Sequence, residues 1–188
     1  DFGLLALAMI LFNTANLITD LGLRPAIVQT KHDIRKVAHY AFVLVMLASM
    51  AMTGLVILLA PPIASFLGGG EELIPILRWM AVYITVDGLW IVPEALLRRE
   101  LRFKQLGLSQ IPGELASTLI AIPLALMGFG VWSLVIGNIS GQLLRSALLW
   151  AYYSPWIWLK PQKWEREIVT SLFRYGLPTM GGGALRYI

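Results

Sequence analysis

Pro93–Leu108 reads PEALLRRELRFKQLGL. It gathers Arg98, Arg99, Arg102 and Lys104 within seven positions, with Glu100 among them. Mostly apolar stretches, each roughly the twenty residues that a bilayer requires, lie on both sides. Each Lys or Arg at mid-membrane costs about 2.5–3.5 kcal/mol on insertion scales, so this cluster stays on the cytoplasmic side. It thereby sets the direction of every span around it.

Composition points the same way. The chain has 188 residues, 57% hydrophobic and 14% charged, with a mean hydropathy of +0.72. A soluble domain carries about 25% charged residues. The deficit excludes an ordinary soluble globule and leaves a polytopic membrane protein, an all-α helix bundle because backbone in lipid must satisfy itself. The net charge of +4 lies in short loops and implies no nucleic-acid partner. Without cysteine there is no disulfide, thiolate chemistry or Cys-type zinc site. The chain opens at Asp1 and stops at Ile188, part-way into a further apolar stretch, so it reads as a fragment of a longer protein.

Five spans are expected, at roughly 4–29, 37–60, 73–96, 106–127 and 131–153. Pro61-Pro62 reads as the stop of the second. Gly128-Phe129-Gly130 allows only a tight hairpin. With the central loop inside, the loops 30–36, 97–105 and 154–174 fall on the cytoplasmic side and carry eleven of the fifteen Lys and Arg. The loops 61–72 and 128–130 fall outside and carry none, a positive-inside pattern. Trp156, Trp158 and Trp164 of 154–174, with the flanking Tyr152 and Tyr153, read as an inner-interface belt. From Pro161 to Arg174, Trp164, Ile168 and Leu172 recur every four residues, which predicts a short amphipathic helix on the inner surface.

Polar stripes run along four of the five spans. Asn13, Asn16, Asp20 and Arg24 share one helical face, and so do Tyr83, Asp87, Glu94 and Arg98. Gln110, Glu114, Ser117 and Thr118 form a third stripe; Asn138, Gln142 and Arg145 form a fourth. The second span has only Ser49 and Thr53 and is the one expected to face lipid. Charges inside a membrane face a bundle interior or a cavity. Arg24, Arg145 and Arg186, with Asn138 and Gln142, are therefore candidates for contacting an anionic substrate. Asp20, Asp87 and Glu114 are candidates for ion coupling or for orienting those arginines. Blander readings compete: Asp20–Arg24 as a structural pair, Glu94 and His39 as interfacial residues, Gly137 and Gly141 as packing positions. No nucleophile constellation, metal-ligand spacing or cofactor loop appears. Gly68-Gly69-Gly70 has no following Gly-Lys-Ser/Thr, so it is no phosphate loop. The chain reads as a non-enzyme without cofactor.

The segment Pro93–Lys104 resembles the Pro-x-Ala-Leu-Leu-x-Arg-x-Leu-x-Phe-Lys element of the bacterial polysaccharide and oligosaccharide flippases, the Wzx-type members of the multidrug/oligosaccharidyl-lipid/polysaccharide exporter superfamily. Asp1–Ala6, Asp20-Leu21-Gly22-Leu23, Gly128–Trp132 and Arg174–Pro178 resemble further elements of that family in the same order. The resemblance implies two six-helix lobes forming a V around a central cavity, with alternating access. Residues 1–153 would be helices two to six of the first lobe, 154–174 a cytoplasmic linker and 175–188 the truncated start of the second lobe. It implies a polyprenyl-diphosphate-linked oligosaccharide as substrate, moved across the inner membrane for O-antigen, capsule or exopolysaccharide export. It also implies a cationic cavity and contact with polysaccharide polymerase machinery, while the acids Asp20, Asp87 and Glu114 suit a proton or sodium ion as driver. The resembling elements mark loops and turns, so no site residue is carried over. A cation-coupled multidrug antiporter of the same superfamily is the nearest rival reading. A membrane polymerase or ligase fits less well, because both expected outer loops are short.

Overall fold

The structure, a computed structural model, describes residues 22–30, 32–66, 68, 70–163 and 165–184. Among them there are only helices and connecting turns. They are α1 (Leu23–Gln29), α2 (Ile34–Phe66), α3 (Gly70–Arg99), α4 (Phe103–Leu126), α5 (Val131–Tyr152), α6 (Trp156–Leu159) and α7 (Arg166–Ala184). The chain is an all-α bundle. Among the described residues two helices, Ile34–Phe66 and the Leu73–Arg99 part of α3, are long and apolar enough to cross a membrane.

α3 is the central element and packs against α1, α2, α4 and α5. Its buried Trp90, Ile91, Ala95, Leu96 and Leu97 join Leu23 and Ile27 of α1, Val37, Ala41 and Val45 of α2, and Leu149 of α5 in one core. A second cluster, Ala60, Ala64, Leu73, Leu77 and Ile84, closes the other end of the α2–α3 pair. On the far side of α2, Leu47, Met50, Leu55, Leu58 and Leu59 stay exposed. A soluble surface does not present such a contiguous apolar strip, and lipid does not oppose one.

The prolines behave differently from what the sequence suggests. α2 does not stop at Pro61-Pro62; it continues through both to Phe66. Two adjacent prolines remove the bonds to the carbonyls of Ile57 and Leu58 only, and the turn beyond them can still close. Ser65 Oγ donates to Pro62 O at 2.8 Å within that last turn. Pro93 likewise sits inside α3. Its missing N–H would have served the carbonyl of Leu89. Trp150 of α5 supplies the replacement, its indole N–H donating to Leu89 O at 2.9 Å.

α3 ends in a Schellman arrangement. The Arg102 N–H donates to Leu97 O at 2.9 Å and the Leu101 N–H to Arg98 O at 3.1 Å. Leu101 takes φ 56, a position usually given to glycine. Beyond it α4 and α5 form a hairpin whose crossing is lined by small residues. A Cβ on Gly137 would lie 2.7 Å from Ser117 O, and one on Gly141 would lie 2.6 Å from Gly113 O. Gly137 and Gly141 against Gly113, Ser117 and Ala121 make a small-xxx-small contact.

The three basic loops meet at one end of the bundle. Arg99 donates to the C-terminal carbonyls of α1, those of Ile27 (2.9 Å), Val28 (3.0 Å) and Thr30 (2.8 Å). Lys36 pairs with Glu165, the Tyr40 hydroxyl donates to Lys163 O, and the Tyr153 hydroxyl donates to Glu100. His39 Nδ1 lies 2.6 Å from Trp158 O; a carbonyl only accepts, so that nitrogen carries the proton. The aromatic belt expected here is largely an internal cluster. Trp158 is 0% exposed and packs against Phe42, Trp150 and Tyr153, whereas Trp156 is exposed. The amphipathic stretch is also corrected. Its helix begins at Arg166 rather than Pro161. Ile168 and Leu172 bury against the bundle instead of lying on a membrane surface, because α1 and α2 present them a protein core.

Candidate functional site

Midway along α3, four residues at helical spacing face α1 and α5: Tyr83, Asp87, Trp90 and Glu94. Glu94 is 2% exposed. Arg98, one turn on, donates to Glu94 Oε1 from Nε at 2.9 Å and from a terminal nitrogen at 2.6 Å. Two further arginines approach more loosely. Arg24 of α1 lies 3.5 Å from Glu94 Oε2, and Arg145 of α5 lies 3.9 Å from Oε1. A carboxylate so deeply buried is stable only with such company.

Trp90 holds the two loosely paired arginines in place. The guanidinium carbon of Arg145 lies 3.7 Å from the Trp90 ring centroid and that of Arg24 lies 4.4 Å away. Both distances are within cation–π range. The Trp90 indole N–H donates to Asp87 Oδ1 at 2.9 Å. Gln142 Nε2 donates to the Tyr83 hydroxyl at 2.8 Å and lies 3.3 Å from the same Asp87 oxygen. Asp87 is 7% exposed and forms no ion pair with another described residue. Nε of Arg145 is buried and has no hydrogen-bond partner among the described residues.

Beside this cluster, Tyr83, Gly113, Glu114, Ser117, Asn138, Gly141, Gln142 and Arg145 enclose a cavity of about 60 Å³. The glycines permit it: a Cβ on Gly113 would lie 3.1 Å from the Arg145 Cβ. The Ser117 hydroxyl lies 3.4 Å from Asn138 Oδ1 at the exposed rim. The cavity joins hydrogen-bond donors, acceptors and a cation on facing helices. Among the described residues no three His, Cys, Asp or Glu side chains gather to hold a metal.

Of the residues singled out in the sequence, Arg24, Arg145, Gln142 and Asp87 converge around Trp90. Glu114 and Asn138 line the cavity but remain exposed. Asp20 and Arg186, with Asn13 and Asn16, lie outside the described residues. Glu94, with an interfacial reading among its alternatives, is instead the buried hub of the arginines. Trp90 is apolar and so stands outside the polar stripes of the sequence. Its position three residues after Asp87 and four before Glu94 does put it on their face.

Residues 1–188 match the family described as "Polysaccharide biosynthesis protein". The chain is also similar to the succinoglycan biosynthesis transport protein ExoT of Rhizobium meliloti (strain 1021), at 28% identity over 190 residues. That alignment covers 100% of this chain and 37% of the relative, so the chain spans little more than a third of its relative's length. No solved structure matches it.

Proposed function

The chain belongs to the polysaccharide biosynthesis protein family, and from that premise we propose that it is part of a multi-pass transporter of the bacterial inner membrane. Its substrate is a polyprenyl-diphosphate-linked oligosaccharide, flipped from the inner to the outer leaflet for O-antigen, capsule or exopolysaccharide export. The observation that carries this reading is the Arg24–Trp90–Arg145 stack, whose buried Arg145 Nε has no hydrogen-bond partner among the described residues. Arg98 already satisfies one Glu94 oxygen at short range. Arg145 is therefore the cation with bonding capacity to spare toward a diphosphate.

Gln142 and Asn138 would meet sugar hydroxyls from the same cavity. Asp87 and Glu114 would couple the movement to a proton or sodium ion, or hold the arginines in orientation. Asp20 and Arg186 keep their proposed roles of coupling and anion contact. Five spans over 4–153, a cytoplasmic linker over 154–174 and a second lobe starting at 175 belong to the same proposal. So do rocking of two lobes around the cavity and contact with polysaccharide polymerase machinery.

One observation favours a second reading. Asp87 is a buried carboxylate with no arginine of the described residues in ion-pair contact, which suits a cation site in an antiporter. Deleting the full-length gene and extracting the polyprenyl-linked sugars separates the alternatives. Complete repeat units trapped on the inner leaflet, with surface polymer lost, establish the flippase. Unchanged surface polymer with new drug sensitivity establishes the antiporter. Single units left unpolymerised on the outer leaflet mean a polymerase or ligase.

A further inference from the structure

At the end of the bundle where the basic loops meet, α7 and the turn before α2 border an open groove of about 840 Å³. It is lined by His32, Arg166, Glu167, Thr170, Ser171 and Arg174. None of these belongs to the buried arginine cluster. Arg166, Thr170 and Arg174 follow at four-residue spacing, so they share one face of α7. Ile168 and Leu172 are buried in the core, which fixes the orientation of that face. Arg166 and Arg174 are exposed, and neither pairs with another described residue.

The hydroxyls decide what the groove suits. Thr170 Oγ1 donates its proton to Arg166 O at 2.8 Å, and Ser171 Oγ donates to Ile168 O at 2.7 Å. Each hydroxyl has spent its donor on the helix and offers only lone pairs to a ligand. Glu167 offers an acceptor as well. The groove thus combines guanidinium donors, matched to phosphate oxygens, with several acceptors, matched to sugar hydroxyls. Arg166 and Arg174 are separated by eight residues, about 12 Å along the helix, a span longer than one phosphate.

We propose that this groove is a cytoplasmic-surface site for a sugar phosphate headgroup, where the lipid-linked substrate is first held before it reaches the membrane cavity. The inference rests on the flippase reading and names where that substrate enters. A phospholipid headgroup offers the same phosphate but fewer hydroxyl donors.

The test uses the full-length protein in neutral phosphatidylcholine nanodiscs, with glucose 1-phosphate and inorganic pyrophosphate titrated calorimetrically. The Arg166→Gln/Arg174→Gln double variant should bind both about tenfold more weakly or worse, the scale of lost charge-assisted hydrogen bonds. Thr170→Val, at an exposed position, should weaken glucose 1-phosphate and leave pyrophosphate unchanged. Equal affinities of wild type and double variant for glucose 1-phosphate would overturn the site. Loss of glucose 1-phosphate binding when phosphatidylglycerol is added to the discs, with Thr170→Val silent, would assign the groove to phospholipid and overturn the sugar assignment. Binding is read apart from flipping. A protein that binds at this groove but flips nothing fails the transport reading alone, and one that flips with an indifferent groove fails this inference alone.

Discussion

Glu94 and Arg145 touch each other, yet their removal should have different consequences. Glu94 is buried and shared by three guanidinium groups. Glu94→Ala leaves those cations close together without their carboxylate, and breaking a buried pair in this way costs about 3–5 kcal/mol. The expected result is a marked loss of thermal stability in detergent and of membrane-inserted protein. Arg145→Ala is milder, because Glu94 keeps its short bonds to Arg98. That variant should accumulate to wild-type level while surface polysaccharide export is lost. Wild-type export from Arg145→Ala would remove this residue from the site. At this scale the sequence was legible in part. Helical spacing put Asp87, Glu94 and Arg98 on one face and Gln142 and Arg145 on another. It carries no information on how two helices meet, and only that meeting makes Trp90 the ring on which Arg24 and Arg145 rest.

Between elements, bonds that one helix loses are restored by another. Arg99 of α3 closes the C-terminus of α1, one terminal guanidinium nitrogen sharing its two N–H donors among three carbonyls. Helix C-termini carry partial negative charge and unsatisfied carbonyls. Arg99→Ala should therefore speed amide exchange across Leu23–Gln29 and cost about 1–3 kcal/mol, the range for losing hydrogen bonds to a charged group. The α4–α5 crossing supports a paired experiment. Gly141→Val places its side chain where even a Cβ comes within 2.6 Å of Gly113 O, so the helices must part. A loss of about 1–3 kcal/mol is expected from such overpacking. Gly107→Ala, also in α4, meets nothing within 4 Å. It should raise stability by about 0.5–1 kcal/mol through helix propensity. Equal effects of the two substitutions on detergent melting would refute the close crossing. The prolines show why element ends were harder to read. A proline announces a missing donor, but only the tertiary neighbour shows whether another group, such as Trp150 at Leu89, replaces it.

Over the whole molecule, charge distribution was the most legible feature, because a short basic loop has few places to go near a bilayer. The structure adds a geometric counterpart. The loops 30–36, 97–105 and 154–174 are tied together by Arg99 with Thr30 and Lys36 with Glu165, and Tyr153, just before the last loop, reaches Glu100. The fate of α7 was less legible. An amphipathic period is the same whether the apolar face meets lipid or protein, and here it meets α1 and α2. Sidedness can be measured directly: residues 1–188 contain no cysteine, and any cysteine elsewhere in the full-length protein is first replaced by serine. Single cysteines replace exposed residues at the two ends: His32, Lys104 and Lys160 at one, Ser65 and Phe129 at the other. With the multi-pass arrangement proposed above, a membrane-impermeant maleimide should label Ser65→Cys and Phe129→Cys in intact spheroplasts. His32→Cys, Lys104→Cys and Lys160→Cys should label only after the membrane is opened. If Phe129→Cys labels with the basic-end set, the α4–α5 hairpin does not span the bilayer. The small α4–α5 cavity would then face water on the cytoplasmic side, and a diphosphate held there could not be carried across.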